Sequence, residues 1–526
     1  MTSSAGQYRE RDRRPWPLIV ATLRTDGQMV ISERRRLAVG TGWTLLSTLI
    51  ALAVSAVLNP VIVLYLGVAG YGEWAAAVAV ASLFGVGGDL GVAGALTKFT
   101  AERQGRQQDL GSLAGNALLF AVLAGCVAGG LLATLASALA RDLAYPDFAV
   151  LLQIQAAQMP VNLGIASLVG LYQGRRLFRS LAVISILLVT GSFGLTIAFL
   201  VAGRGINGVM IASLATSVAI FLALVLVRKS DLRIRGYAAL VADFRALVPF
   251  GIRLTLANAF SVALYQIDLV ILTFLTRDPE QLGLYALATF VTRGLWIIPG
   301  SIGVTTYPVI SEYAAASRNE RVARYMSTAL VASIAITGVL STGFVLFGRP
   351  AIEFVFGRSA SSSFDLGLLM LLGTAFFGCL RSVGSALSSV GRPDVSLRIS
   401  MLGAGLLLVL SVPLVTGFAA AGAAIAVTLA FSVVAIVLVW SLHRYVLQPQ
   451  GVAFDTKRAA QTGLLAVVLV GASLFFSLPT NPSLESSLIA GLLCALAVVV
   501  MVEISGGRQT WAALMTPPRG QAAKRD

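Results

Sequence analysis

Fourteen apolar runs recur along this chain of 526 residues, each long enough to cross about 30 Å of bilayer hydrocarbon as a helix of about 20 residues. They cover 38–65, 69–96, 113–140, 148–172, 180–202, 206–227, 246–275, 282–312, 325–347, 366–390, 395–416, 420–441, 460–478 and 485–504. Hydrophobic residues make up 57% of the chain and charged ones only 12%, against roughly 25% charged in an ordinary soluble domain. The 52 glycines fit the same reading, because membrane helices tolerate glycine better than soluble ones. The pattern predicts an all-α polytopic membrane protein with fourteen transmembrane helices.

A net charge of +15 would suggest nucleic acid in a soluble chain, but here its distribution decides. With the amino terminus inside, thirty-one of the 39 lysines and arginines fall in cytoplasmic segments. Arg141, Arg204, Arg277, Arg349 and Arg358 are the five in outer connections, and Arg253, Arg293 and Arg381 lie inside runs. That asymmetry predicts both termini in the cytoplasm, and it turns the charge into a topology and anionic-lipid signal. Nucleic acid is not an expected partner. The basic arm, 1–36, carries Arg9, Arg11, Arg13 and Arg14 without the apolar segment of a cleaved signal peptide, so it is expected to be retained and irregular. The tail, 505–526, with Pro517 and Pro518, is expected to be irregular too.

Several chemistries are excluded. Cys126, Cys379 and Cys494 lie in apolar runs and read as core fillers, and the single histidine, His443, reads as an interfacial residue. No metal site, phosphate-binding loop or cofactor is expected. The longest outer connection, 348–365, has room for a small interfacial helix but not for a catalytic domain. The chain is therefore expected not to be an enzyme.

An internal repeat organises the runs. At an offset near 211, Gly40, Thr44 and Leu45 match Gly251, Thr255 and Leu256, and Gly72 matches Gly283; further on, Gly208, Ile211 and Ala212 match Gly422, Ile425 and Ala426. Two lobes of six spans follow, 37–228 and 246–442, joined by a cytoplasmic linker, 229–245, with an extra helix pair in 443–504. An even number of spans per lobe gives both lobes one topology, with a central cavity between them.

The stretch NPVIVLYLGVAGYGEWAAAVAVASLFGVGGDLGVAGALTKFTAERQG carries Leu66, Gly67, Tyr71, Gly72, Asp89, Leu90 and Gly91. It resembles polysaccharide flippases of the multidrug, oligosaccharidyl-lipid and polysaccharide exporter superfamily. A second stretch, with Gly391, Arg392, Gly422, Ala423, Ala424 and Ala426, resembles the same family's later spans. The resemblance extends over about 35–445. It implies alternating-access transfer of an undecaprenyl-diphosphate-linked oligosaccharide from the inner to the outer leaflet of a bacterial cytoplasmic membrane. The expected partners are a lipid-linked glycan, membrane lipids and other glycan-assembly proteins. The alternatives are a multidrug exporter of the superfamily, a flippase of the peptidoglycan lipid precursor, and a membrane glycan polymerase or ligase.

Charges inside the runs are the candidate site, because an ionised side chain deep in a bilayer is costly and faces a cavity or a partner. Arg293 lies near the midplane, Arg381 at similar or slightly deeper inner depth, and Arg253 about two turns from the cytoplasmic end of its span. A guanidinium stays charged and grips two phosphate oxygens, so these three are the expected substrate-binding residues. Snorkelling to an interface is their structural alternative. Their repeat counterparts, such as Gly42 and Ser82, are uncharged, so the expected cationic cavity is lopsided. Asp268 and Asp89 are the candidates for coupling to a proton or sodium gradient, and Asp89 also suits a cap at a glycine-broken helix. Asp268 lies about 22 Å from Arg253 along one helix, which excludes that pair, and it reads as a lone carboxylate. Tyr71 suits an interfacial anchor or a gate, and Asn59-Pro60 a bend in the first span.

Overall fold

The computed structural model describes residues 16–477 apart from 109–111, 142, 144, 146, 235–236, 316–318, 385, 391 and 449–455. Among these residues the chain is all helical. The elements are α1 (Trp16–Asp89), α2 (Val92–Gly105), α3 (Leu113–Ala140), α4 (Phe148–Gly174), α5 (Phe178–Val201), α6 (Gly205–Arg228) and α7 (Tyr237–Thr276). They continue as α8 (Pro279–Arg293), α9 (Ile297–Ala315), α10 (Asn319–Phe356), α11 (Ser363–Gly384), α12 (Ala386–Ser389), α13 (Pro393–Leu442) and α14 (Thr456–Ser477). Thirteen of the fourteen apolar runs fall on these helices, and 485–504 lies outside the described residues. Ten helical stretches among the described residues are long and apolar enough to cross a membrane, as expected of a multi-pass membrane protein.

Two of those stretches hold two crossings each. A straight helix over the 48 residues of Gly42–Asp89 would span about 72 Å, more than twice the hydrocarbon. The chain reverses at Gly67, whose φ of 72° and ψ of 175° only glycine adopts readily. The proof of the reversal is a hydrogen bond of 2.9 Å from the Tyr71 hydroxyl to Asn59 Oδ1, two residues that a continuous helix would hold about 18 Å apart. Asn59 in turn donates to the Ser55 carbonyl. Tyr71 is 3% exposed, so its ring is spent inside the protein, fastening the first two spans together near their turn. In α13 the reversal falls at Ala419, at φ 48° and ψ −127°.

Other expectations change as well. The second span breaks at Leu90 and Gly91, both at positive φ, before α2 begins. The eighth span stays helical but tightens into a 3-10 turn, Gly294–Trp296, between α8 and α9. The connection expected at 348–365 is short, since α10 runs through Pro350 to Phe356 and α11 starts at Ser363. Helix begins at Trp16 within the arm and at Tyr237 within the linker. Cys126 is exposed and fills no core, Cys379 is half-buried, and Cys494 lies outside the described residues, as does the tail.

Small residues let backbones approach, as membrane helices require. A Cβ on Gly129 would sit 2.3 Å from the Ala156 carbonyl oxygen, which brings α3 onto α4. Gly72 and Gly283, paired by the internal repeat, meet back to back between α1 and α8: a Cβ on Gly283 would sit 2.0 Å from the Val68 carbonyl oxygen. Equivalent positions of two copies touch where an axis relating them passes. Gly91 meets Gly251 of α7 in the same way nearer the basic face, the side that bears the connections rich in lysine and arginine. There Asp243 of α7, 8% exposed, accepts hydrogen bonds from Ser112 at 2.9 Å and Asn116 at 2.8 Å.

Also on the basic face, Asp231 receives a 2.7 Å hydrogen bond from Arg175, and Arg228 approaches to 3.5 Å. The Arg175 bond, aided by both positive charges, holds the Asp231 carboxyl below its ordinary range. A depressed folded-state pKa gives stability that is present above the ordinary carboxylate range and lost as pH falls through the folded value. A spin label at the exposed Ser230 is expected to be immobile at neutral pH and to gain mobility on acidification. In the Asp231→Asn background it should already be mobile at neutral pH, and an unchanged spectrum there would remove the tether.

Candidate functional site

The site begins with the α7–α8 hairpin. Arg277, at φ 56°, ends α7, and the Asp278 carboxylate caps α8 by accepting from the amides of Glu280 at 2.9 Å and Gln281 at 3.4 Å. Pro279 fits the first helical position, where no amide hydrogen is needed. The tight turn sets the two helices antiparallel, with Asp268 eight residues before the end of α7 and Tyr285 near the start of α8.

Asp268 is 1% exposed and is not alone. Its Oδ2 accepts a 2.6 Å hydrogen bond from the fully buried Tyr285 hydroxyl and lies 3.6 Å from Arg293 Nη2. Arg293, the last residue of α8, reaches back because helical side chains lean toward their helix N-terminus. The second oxygen, Oδ1, is buried with no hydrogen-bond partner.

Arg381 comes from α11. Its Nη1 donates to the Tyr265 hydroxyl at 2.9 Å, while its buried Nε has no hydrogen-bond partner. Among the described residues no carboxylate oxygen lies within ion-pair distance of it. The two guanidiniums share one aromatic surface: each lies 6.0 Å from the Tyr265 ring centre, and they lie 5.7 and 5.3 Å from that of Trp296. Such faces attract a cation without neutralising it. Trp296 is fixed by donating to the Thr374 carbonyl at 2.8 Å and by packing on Phe377 and Phe431.

Below this cluster opens a cavity of about 560 Å³, walled by Tyr265, Arg381, Tyr307, Ser396 and Ser400 among apolar residues of α7, α9, α11 and α13. Arg381 lines it and Arg293 does not. Of the other candidates, the Arg253 side chain lies outside the described residues. Asp89 ends α1 at the helix break, remote in the fold from this cluster and beside the Gly91–Gly251 contact. The structure therefore joins Asp268, Arg293 and Arg381 through Tyr265, Trp296 and Tyr285. Sequence reasoning passed over these three aromatics, although Tyr265 precedes Asp268 by three residues and Trp296 follows Arg293 by three, the spacing of neighbours on one helical face.

The guanidinium pair thus lies on an aromatic wall beside a cavity, within helices long and apolar enough to cross a membrane. Residues 37–314, more than half the chain, match the model of the family described as polysaccharide biosynthesis protein, and the chain belongs to that family. It is similar to the probable low-salt glycan biosynthesis flippase Agl15 of Haloferax volcanii, 26% identical over 164 residues, which are 30% of this chain and 34% of that protein. The probable flippase AglR of the same organism is 27% identical over 208 residues, 39% and 43% of the two chains. The chain thus spans less than half the length of these relatives. The fold is shared with the lipid II flippase MurJ in an inward closed conformation, at 15% identity and a TM-score of 0.67 over 89% of this chain and 98% of that one. An inward-facing multidrug transporter of the MOP superfamily gives a TM-score of 0.56 at 16% identity, over 74% and 95%.

Proposed function

We propose that this protein is a flippase for a lipid-linked glycan, carrying an undecaprenyl-diphosphate-linked oligosaccharide from the inner to the outer leaflet of a bacterial cytoplasmic membrane for surface polysaccharide assembly. Two six-span lobes, 37–228 and 246–442, alternate access to the headgroup while the polyprenyl tail stays in lipid, and both termini lie in the cytoplasm. Arg381 carries the reading: a positive charge on the wall of a cavity among membrane-spanning helices, bonded to a neutral hydroxyl and matched by no described carboxylate. A diphosphate entering that cavity loses water, and a fixed guanidinium replaces it. Arg253 receives the headgroup from the cytoplasmic side, and a proton or sodium gradient acts through Asp268, with Asp89 as the second carboxylate. The names of the two archaeal relatives support the class of cargo. The same positive charge disfavours organic cations, which counts against a multidrug exporter.

In proteoliposomes loaded with a fluorescent diphosphate-linked lipid sugar, the wild type is expected to expose the headgroup to an impermeant quencher. Arg381→Ala should slow this at least tenfold, about 1.4 kcal/mol in the barrier, with insertion unchanged. Lysine should restore part of the rate, because it keeps the charge and loses the two-pronged contact. Equal rates for wild type and alanine variant would sink the proposal. An impermeant thiol reagent reaching a cysteine at Ser230 in intact cells would reverse the orientation.

A further inference from the structure

The two arginines share a ring pair and differ in their surroundings: Arg381 lines the cavity and has no carboxylate among the described residues, whereas Arg293 lies off the cavity wall and has Asp268. We infer that they are two phosphate positions of one site, that the Arg381 position stands open, and that Asp268 occupies the other as a stand-in for the second phosphate. The inference rests on the anion-site reading above and adds a release group to it.

The geometry suits exchange. At 3.6 Å the contact between Arg293 Nη2 and Asp268 Oδ2 is an ion pair without a hydrogen bond, whereas the same oxygen holds a 2.6 Å bond from Tyr285. When the guanidinium turns to a ligand, the carboxylate keeps its donor. It loses its counter-charge, however, while remaining 1% exposed, and a buried charge without a partner is costly. That cost is subtracted from the affinity for any ligand that uses both arginines. A ligand with one phosphate takes Arg381 and leaves the Asp268–Arg293 pair intact. A diphosphate opens the pair and is later expelled as it closes. Asp268 thus sets both the discrimination between one phosphate and two and the ease of letting go, and it touches no ligand atom itself.

The test measures binding of pyrophosphate and of orthophosphate to the purified full-length protein in nanodiscs by calorimetry. In the wild type the two affinities should be similar. Asp268→Asn, of equal size and without the charge, should raise the ratio of pyrophosphate to orthophosphate affinity about tenfold or more, a gain of at least 1.4 kcal/mol. Adding Arg293→Gln to it should return the ratio to that of the wild type. Tyr285→Phe provides an independent arm: it removes the donor that holds Asp268 when the pair opens, so the ratio should fall. A ratio unmoved or lowered by Asp268→Asn, with Arg381→Ala still abolishing binding of both anions, overturns the release role and leaves the anion site standing. Binding that survives Arg381→Ala overturns the anion site itself. Should Asp268→Asn fold poorly, the Tyr285→Phe arm decides alone, a raised or unchanged ratio counting against the inference.

Discussion

Arg293→Ala is expected to lower the stability of the protein in detergent by about 3 kcal/mol, because it leaves Asp268 buried with, among the described residues, the Tyr285 hydroxyl bonded to it and no ion-pair partner. The loss is larger than that of an ordinary surface pair, worth at most about 1 kcal/mol, since one member is 1% exposed. Removing the carboxylate as well should recover most of it: the Arg293→Ala, Asp268→Asn double variant is expected to melt near the Asp268→Asn single variant. Thermal unfolding of the four proteins at fixed detergent and pH measures the coupling. Additive effects of the two substitutions would show that the pair contributes nothing.

Gly283→Val should have an effect of similar size by a different route. A Cβ there would sit 2.0 Å from the Val68 carbonyl oxygen, and one on Gly72 would sit 2.3 Å from that of Pro279. Backbone cannot yield as a flexible side chain does, so α1 and α8 must separate, at a cost of about 3 kcal/mol. In a cysteine-free background, a cysteine at Ala286, 7% exposed and one turn further along α8, is expected to gain labelling by a polar thiol reagent from the face opposite the basic one. Labelling that stays at its wild-type level would mean that the two helices are apart in the protein's resting state.

Crossings were legible in the sequence and their interruptions were not. Hydropathy reads continuously through the break at Leu90-Gly91 and through the 3-10 turn at Gly294–Trp296, because a local change of backbone geometry needs no polar residue. The same blindness cut α10 short at a proline that the helix carries. Tyr71 looked interfacial by composition, and only the reversal at Gly67 shows why it is buried, since the tight turn brings it onto Asn59. At the site, Asp268, Arg293 and Arg381 stood out because a charge in an apolar run is conspicuous. Their relation to one another was hidden. Counting residues along one helix excludes Arg253 as a partner for Asp268 but says nothing of Arg293 on the next helix, whose long side chain leans toward the start of its own helix and reaches the carboxylate. The aromatic wall was lost among the 25 phenylalanines, 12 tyrosines and 6 tryptophans of the chain.

The 3-10 turn between α8 and α9 divides one crossing into two parts with different surroundings. Above it, Arg293 is fastened to α7 through Asp268; below it, Gly300, Gly303, Val304 and Tyr307 shape the wall of the cavity. A change of side chain in the lower part alters the room in the cavity, while the charged cluster of the upper part stays where the hairpin holds it. Substitutions within a few turns of α9 therefore reshape the cavity without rebuilding the charged cluster beside it. Chimaeras that exchange only residues 297–307 between family members are the natural unit for changing the shape of that cavity.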